Sequence, residues 1–470
     1  MGLQINRKVE HRPDSCIKEA IDILKQRFGD RLGTSRAVRE QHGKGEDHHP
    51  VVPPDAVFFA EATDEVAEAV RICAEYKVPI IPFGTGTSLE GHVAALNGGV
   101  SIDVSRMNRV LEVNVEDLDC RVQPGVTRKQ LNEYLRGPGL MFPIDPGADA
   151  SIGGMTATRA SGTNAVRYGT MRENVLGLTV VTADGRIIRT SQRARKSSAG
   201  YALTRLFVGS EGTLGVITEI SLRLYGIPES IVSALCSYPD LESAVNTVIQ
   251  TIQMGIPVSR IEIADEVQMK AINDYSGTDL PVTPMLWFEF HGTEAGTAEQ
   301  AEMVKTISDD WGGGDFQWTA SPEERAKLWQ ARHDAAYAAK GIRRGAEVWA
   351  TDVCVPISRL AECIVETQKD INENNLIAPI VGHVGDGNFH LVLIADKDDE
   401  DEMTRANAVN ERLVQRAISM DGTCTGEHGI GMGKMDFLIA EHGEAVSVMR
   451  LIKKALDPHN IMNPGKIVRI

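Results

Sequence analysis

Three glycine-rich loops in the first half of the chain most constrain how it can fold. They are Gly84 to Ser88, Pro146 to Asn164 and Gly209 to Gly215, and each follows or links predicted strands. Glycine lets the backbone approach an anion closely, and consecutive N–H groups beside Thr or Ser hydroxyls can cradle phosphates. None of the loops has the spacing of a Rossmann or Walker site. Three such loops in one domain indicate a large cofactor, because long loops inside compact domains are usually functional.

Helix and strand patterns alternate around these loops. Thr63 begins a predicted amphipathic helix, and the capping box from Thr127 to Gln130 begins another. Residues 143–170 are predicted to form one long loop. Strands are predicted at 78–82, 100–104, 110–115, 119–123, 175–182 and 186–189, with one more inside 208–224.

A turn from Gly226 to Glu229 predicts a domain boundary, after which the pattern is α+β. We expect a helix from Leu241, a strand from Pro284 to His291 and a long helix after Ser321. Ser321 is the predicted N-cap of that helix, followed by a proline and then by Glu324, which completes a capping box. A chain of 470 residues is longer than one hydrophobic core usually supports, so two or three domains are expected.

Composition excludes several classes of protein. The formal net charge of −16 argues against nucleic acid as a partner, because phosphate binding needs a basic surface. The seven cysteines are scattered, which indicates reduced core residues rather than a disulfide framework. No apolar run is long enough to span a membrane. Met1 to Arg12 lacks the pattern of a signal or transit peptide, so the chain stays where it is made or has already lost a targeting segment.

Two histidines near the C-terminus suggest a metal site. Residues 378–381 and 391–394 have the pattern of two strands, and Asp386-Gly387 between them is typical of a two-residue hairpin turn. In that register His383 and His390 lie directly opposite each other, with Cβ atoms about 4.5–5.5 Å apart. Such a pair suits one divalent metal. The alternative is two hydrogen-bonded surface histidines without a metal.

A second cluster follows at Cys424 to Gly429. Glu427 can supply an oxygen ligand, which leaves His428 available as a general base beside the metal. Two other classes of protein stay open on the residues alone. One is a metallohydrolase, in which the glycine loops have no role, and the other is a subunit that holds a cofactor without turnover.

Several longer motifs resemble the FAD domain of the vanillyl-alcohol-oxidase-like flavoproteins. They are residues 82–87, 145–154, 160–169 and 209–215. From about Pro53 to Lys466 the chain resembles the FAD-linked D-lactate dehydrogenase family, whose relatives include the glycolate oxidase large subunit and D-2-hydroxyglutarate dehydrogenase. Ser88 and His92 depart from the glycines that are common in mitochondrial relatives. His92 raises a covalent flavin–histidine link as an outside alternative.

The resemblance implies an α+β fold of p-cresol-methylhydroxylase (PCMH) type. Residues 1–226 form an FAD-binding domain of two α/β subdomains, 227–420 a substrate (cap) domain with an antiparallel sheet that carries the metal hairpin, and 421–470 a segment that returns to the flavin domain. The implied FAD-binding residues are Pro82, Gly84, Thr85, Gly86, Thr87, Ser88, Pro146, Gly147, Asp149, Ile152, Gly153, Gly154, Thr158, Gly162, Asn164, Val166, Glu211, Gly215, Ile217 and Asn463.

The resemblance also implies zinc or manganese bound by His383, His390 and Glu427, with His428 as the base. Our candidates for substrate contacts are Arg332 as a bidentate carboxylate clamp, Trp329 as a pocket wall and Asn388. Lys340 and Arg343 are too far along the helix to hold a second carboxylate if the helix continues past Arg332.

The predicted reaction is FAD-dependent oxidation of a D-2-hydroxy acid, with D-lactate preferred, to the 2-oxo acid. D-2-hydroxyglutarate and glycolate are the alternative substrates, and metallohydrolysis is the outside alternative. The chain has no NAD, haem or iron–sulfur motif, so electrons must pass to an external quinone, cytochrome or electron-transfer flavoprotein. The expected location is the cytoplasm, or the mitochondrial matrix if a targeting segment has been removed. Peripheral association with a membrane is compatible with either location. A homodimer is compatible with the sequence, which does not determine the oligomeric state.

Overall fold

A computed structural model describes residues 14–470, which divide into two compact units. The first unit contains 14–161, 169–226 and 427–470, and the second contains 162–168 and 227–426. Residues 162–168 therefore group apart from the rest of the predicted first domain. The expectation about Met1 to Arg12 lies outside the described residues. Within 14–470, no helix has the length and apolar character needed to cross a bilayer.

The first unit contains two main sheets. Four strands in the order Leu32–Gly33, Ala56–Phe59, Val100–Asp103 and Ile80–Phe83 form one sheet, with parallel pairing among the last three. Five antiparallel strands form the other, in the order Val110–Asn114, Asp119–Val122, Val216–Arg223, Val175–Val181 and Ile187–Arg189. Leu140–Met141 pairs with Tyr225–Gly226 in a small third sheet.

Helices cover these sheets and create two separate cores. The helices of the first unit are Asp14–Phe28, Arg36–His42, Thr63–Glu75, Arg128–Leu135, Ile152–Thr158, Met171–Asn174, Leu203–Phe207, Met435–His442 and Ala445–Leu456, with a 3-10 turn at Gly29–Arg31. Val66, Val70 and Cys73 share one fully buried face of Thr63–Glu75, as the 3.6-residue period predicts. The predicted capping box is also present, with Thr127 and Gln130 bonded reciprocally.

The second unit is an eight-stranded antiparallel sheet with helices. Its strand order is Gln317–Thr319, Ser230–Ser237, Met285–Gly292, Val258–Ala264, Ile380–Gly382, Asn388–Ala395 and Glu347–Ala350, and Val353–Cys354 also pairs with Asn388–Ala395. Its helices are Ala165–Tyr168, Leu241–Gln253, Glu266–Ser276, Glu294–Asp310, Pro322–His333, Ala335–Ile342, Leu360–Glu373 and Glu400–Ser419, with 3-10 turns at Ile357–Arg359 and Val384–Asp386. The predicted α+β class and antiparallel second sheet are confirmed.

Two local predictions were wrong. Residues 143–170 are not one loop, because they contain the helices Ile152–Thr158 and Ala165–Tyr168. Ser151 begins the first of these by accepting a hydrogen bond from the N–H of Gly154. Ser321 does cap the later helix, but the carboxylate of Glu324 bonds to Thr319 instead of closing the capping box.

The helix that carries Arg332 is also shorter than expected. The distances from Arg332 to Lys340 and Arg343 were estimated for one helix that continues past Arg332. The observed helix ends at His333, and a separate helix begins at Ala335. Lys340 and Arg343 therefore do not continue the helix of Arg332.

Candidate active site

The strands on either side of the His383 turn are paired as predicted, but the register was wrong. Val381, not His383, lies opposite His390. Residues 383–387 form the connection: Val384–Asp386 makes a 3-10 turn, and Gly387 follows in the left-handed region at φ 80°. A Cβ on Gly387 would lie 2.1 Å from the carbonyl oxygen of Val355, so glycine is required there for space as well as for φ.

The two imidazoles nevertheless meet. Their ring centroids lie 5.6 Å apart with an interplanar angle of 81°. Nδ1 of His383 lies 2.7 Å from Oε1 of Glu262, and Nδ1 of His390 lies 2.9 Å from the carbonyl oxygen of Thr351. Since these oxygens can only accept, each Nδ1 carries the proton, which leaves Nε2 to bind a metal. Such outer hydrogen bonds fix the tautomer and orientation of histidines that bind metals.

The third predicted ligand, Glu427, follows a loop that the second unit holds. Thr425 donates to Asp352 at 2.7 Å, and a Cβ on Gly426 would lie 2.3 Å from Nδ2 of Asn388, so the second unit holds the loop closely up to Gly426. Glu427 is the next residue in the chain. The ligand atoms of His383, His390 and Glu427 all lie within 4.8 Å of one another.

This donor set fits a divalent transition metal. Two imidazole nitrogens and one carboxylate oxygen are typical of zinc and also suit manganese, and three protein ligands leave a position for substrate. Glu262 and Thr351 supply the outer contacts that such a site needs. Glu262 was not identified from the sequence, although a glutamate between Ile261 and Ile263 in a buried strand is a usable signal.

Glu262 also brings Arg332 to the cluster. Its side chain is fully buried, and Oε2 lies 2.6 Å from Nη2 of Arg332 while Oε1 contacts His383. The Arg332 side chain is 12% exposed, and its Nε is buried without a hydrogen-bond partner among the described residues. One carboxylate therefore orients both the predicted clamp and a predicted metal ligand, and an unsatisfied donor stays on the clamp.

The other two predicted substrate residues have protein partners. Trp329 is buried and donates from Nε1 to Oγ of Ser233 at 2.9 Å, with the guanidinium of Arg260 lying 4.8 Å from its ring centroid. Asn388 is buried and donates from Nδ2 to Asp352 and to the carbonyl of Val353, both at 2.7 Å. These contacts give Asn388 a role in holding the loop before Glu427, and its predicted substrate contact stays a prediction.

A second buried charged group occupies the neighbouring strand. Glu289 lies 2.9 Å from Nε2 of His291 and 3.4 Å from Nε of Arg260. Burial alone would raise the pKa of Glu289, but Arg260 and His291 outweigh burial and lower it to about 2. Arg260 also donates to Oδ1 of Asn164, a predicted FAD residue.

In the first unit, the glycine loops pack against one another. A Cβ on Gly84 would lie 2.4 Å from Oγ of Ser151, and one on Gly212 would lie 2.9 Å from the ring of Pro82. The amide of Ser151 donates to Oγ1 of Thr85 at 3.4 Å. Backbone from all three loops is thus brought together, as a phosphate cradle requires.

Some predicted FAD residues are already engaged within the protein. The carboxylate of Asp149 accepts from Oγ1 of Thr127 and from the amide of Lys129, at the start of a helix. Thr158 donates to a carbonyl of its own helix. Gly147 has open space around it. These are contacts within the protein, so the contacts of these residues with FAD stay predictions.

His428, the predicted base, lies half-buried on the loop after Glu427. Glu90 is a buried carboxylate of the same unit, with Nζ of Lys434 at 2.9 Å and Nε2 of His49 at 3.7 Å. Burial raises the pKa of Glu90, but Lys434, His49 and His428 together hold it below the ordinary value. The loop of His428 is therefore lined by a charged carboxylate.

Comparison with known proteins identifies the fold and then the family. The chain is similar in structure to p-cresol methylhydroxylase with substrate bound, at a TM-score of 0.80 and 18% identity, over 98% of each chain. That likeness confirms the predicted PCMH-type fold. Residues 54–191 match the FAD binding domain model, and residues 227–467 match the model of the C-terminal domain of FAD linked oxidases. The chain belongs to the FAD-linked oxidase family.

Two similar relatives cover nearly the whole chain. A probable mitochondrial D-lactate dehydrogenase of Danio rerio is 53% identical, over 97% of this chain and 93% of the relative. A mitochondrial D-lactate dehydrogenase (cytochrome) of Arabidopsis thaliana is 50% identical, over 96% of this chain and 80% of the relative. The predictions of an FAD-dependent enzyme and of a resemblance to this group are confirmed. The divalent metal stays a prediction.

Proposed function

We propose that this chain oxidises D-lactate, or a close D-2-hydroxy monocarboxylate, to the 2-oxo acid with FAD as the hydride acceptor. The family and the relatives support the class of reaction. The observation that carries the substrate assignment is the Glu262 carboxylate, which contacts both Arg332 and His383. A metal ligand and a carboxylate-binding cation are thereby oriented by one group, as chelation of a 2-hydroxy acid requires.

The predicted metal and FAD would supply two kinds of chemistry. A divalent ion held by His383, His390 and Glu427 would lower the pKa of the 2-hydroxyl, and FAD would accept the hydride from C2. His428 then takes the hydroxyl proton on an imidazole nitrogen, which contributes about 10²- to 10⁴-fold to the rate.

Arg332 binds the substrate carboxylate in this proposal. Glu262 occupies one side of its guanidinium, which fixes the plane of the fork. The buried Nε has no partner among the described residues and offers a donor that a carboxylate would satisfy. Arg332→Ala should therefore raise KM at least tenfold while FAD content is unchanged. An unchanged KM would reject the clamp.

D-2-hydroxyglutarate and glycolate are the second candidates within the same site. A dicarboxylate needs another cation, but Arg343 is paired with Glu402 at 2.8 Å and with Asp396 at 3.2 Å. Arg260 is paired with Glu289. These pairings favour a monocarboxylate.

The test is the visible spectrum of the purified protein under anaerobic conditions. D-Lactate should bleach the flavin band, and L-lactate should not. Stronger bleaching by D-2-hydroxyglutarate would make that acid, and not D-lactate, the assigned substrate. If no 2-hydroxy acid bleaches the flavin, the proposed reaction is rejected. His428→Asn should retain FAD and metal but lose about 10²- to 10⁴-fold in turnover.

For the electron acceptor we propose an external carrier of the cytochrome type, on the printed name of the Arabidopsis relative. Reduction of cytochrome c by the D-lactate-reduced protein tests this against quinone analogues. A mitochondrial location is proposed on the names of both relatives, and subcellular fractionation tests it.

A further inference from the structure

Glu211 lies at the centre of a set of hydrogen bonds in the first unit. It is 6% exposed and has a left-handed backbone with φ 53°. Its amide donates to the carbonyl of Ala157 at 2.8 Å, and its carbonyl accepts from Nδ2 of Asn463 at 2.8 Å. The backbone of Glu211 is therefore fixed from two sides, and its side chain has a defined starting point.

The carboxylate of Glu211 holds the loop that carries His428. Oε1 accepts from the amide of Ile430 at 2.7 Å, and Oε2 accepts from the amide of Gly431 at 2.8 Å. Hydrogen bonds to a charged acceptor are about twice as strong as neutral ones. Nε2 of His92 lies 3.2 Å from Oε2 but is not aligned as a hydrogen bond.

Gly429 links His428 to these two amides and lies close over the carboxylate. A Cβ on Gly429 would lie 2.7 Å from Oε1 of Glu211 and 2.9 Å from Nε2 of His92, and its φ is 83°. Only glycine fits both the space and the backbone angle. The conformation that presents His428 is therefore set directly against Glu211.

The other end of this loop is held independently. Gly426 lies against Asn388, and Thr425 is bonded to Asp352. Loss of the Glu211 contacts should therefore release His428 and leave the residues before Glu427 in place.

We propose that Glu211 is a positioning residue for His428, through the amides of Ile430 and Gly431, and not an FAD ligand through its carboxylate. The inference rests on the proposed function for the role of His428. It revises the sequence prediction for Glu211, since both carboxylate oxygens are taken by the loop.

The test compares Glu211→Gln with Glu219→Gln. Glu219 is a partly buried glutamate of the same unit, paired with Arg121 and bonded to Thr179, and makes a matched control. Glutamine keeps one acceptor oxygen, so one loop amide would face an NH2 group. In Glu211→Gln we expect the rate of flavin reduction by D-lactate to fall at least tenfold, with a larger solvent isotope effect. Substrate Kd and FAD content should stay within twofold of wild type.

Three outcomes would overturn the proposal. They are an unchanged reduction rate in Glu211→Gln, an equal loss in Glu219→Gln, and loss of FAD specific to Glu211→Gln. Glu211→Asp keeps the charge and should recover part of the rate. If substitutions at Glu211 only destabilised the fold, the aspartate variant would show no such recovery.

Hydrogen exchange separates this inference from the proposed function. The amides of Ile430 and Gly431 should lose at least tenfold protection in Glu211→Gln, and not in Glu219→Gln, whether or not any substrate is known. If wild type is not reduced by a hydroxy acid but protection is lost, the proposed function fails and the loop contact stands. If protection is unchanged, the positioning role fails.

Discussion

Replacement of Glu262 by glutamine should damage the metal site and the fold by separable amounts. The carboxylate is fully buried and accepts from Arg332 at 2.6 Å and from Nδ1 of His383 at 2.7 Å. Glutamine has one acceptor oxygen, so one of these two hydrogen bonds is lost in either orientation of the amide. If the NH2 group faces His383, the imidazole must accept at Nδ1, and the proton moves to Nε2, the atom predicted to bind the metal.

Two magnitudes follow. Loss of an outer contact to a metal-binding histidine typically costs about 10- to 100-fold in metal affinity, or roughly 1.4 to 2.7 kcal/mol. Removal of one partner of a buried ion pair typically costs about 3 to 5 kcal/mol of stability, because the arginine is left without its counter-charge. We expect both losses in Glu262→Gln, measured by calorimetric titration of the metal-free protein with zinc and by urea unfolding.

Glu289→Gln is the matched control. Glu289 is 4% exposed, lies on the adjacent strand and is paired with Arg260 and His291, outside the metal cluster. It should lower stability by a similar amount and leave zinc affinity within twofold of wild type. Zinc affinity in Glu262→Gln equal to wild type would refute the reasoning. Equal loss of affinity in both variants would assign the effect to general loosening of the sheet.

Two further predictions concern pH and the metal. The folded pKa of Glu289 is about 2 against an unfolded value of about 4.5, so its stabilisation is present above pH 4.5 and is lost as pH falls through 2. The stability difference between wild type and Glu289→Gln in urea unfolding should shrink over that window, and a constant difference would contradict the pKa. Dialysis against a strong chelator should abolish D-lactate oxidation but retain FAD, and zinc or manganese should restore it; full activity without metal would remove His383, His390 and Glu427 from the mechanism.

Sequence reasoning brought His383 and His390 together by an argument that was only partly right. The two strands do pair and the connection does turn at Gly387, but it is longer than the predicted two-residue turn. Val384–Asp386 closes as a 3-10 turn, which shifts the register so that Val381 faces His390. The imidazoles still meet, because His383 extends from the connection and not from the ladder. Turn type depends on the space around Gly387, and that space is set by Val355, a residue distant in sequence.

Residues that act through long-range contacts were the hardest to predict. Glu262 lies 121 positions from His383, and Glu211 lies 219 positions from Ile430. Sequence analysis did not single out Glu262, and the structure buries its side chain completely. Glu211 lies in a glycine loop of the kind that holds phosphates, and only its partners reveal that its carboxylate faces the protein.

The burial of these two carboxylates is itself informative about the site. Taking a carboxylate out of water costs several kcal/mol, and well-packed apolar residues of similar volume are often as stable as a buried ion pair or more so. Stability alone is therefore a weak reason for burying Glu262 or Glu211. Each is saturated by groups that lie next to predicted catalytic atoms: Arg332 and His383 for one, and the amides after His428 for the other. A fixed acceptor holds such groups in one geometry, which apolar packing cannot do. We infer that both carboxylates serve to orient the site. The packing of the surrounding apolar cores offsets the free-energy cost of burying them.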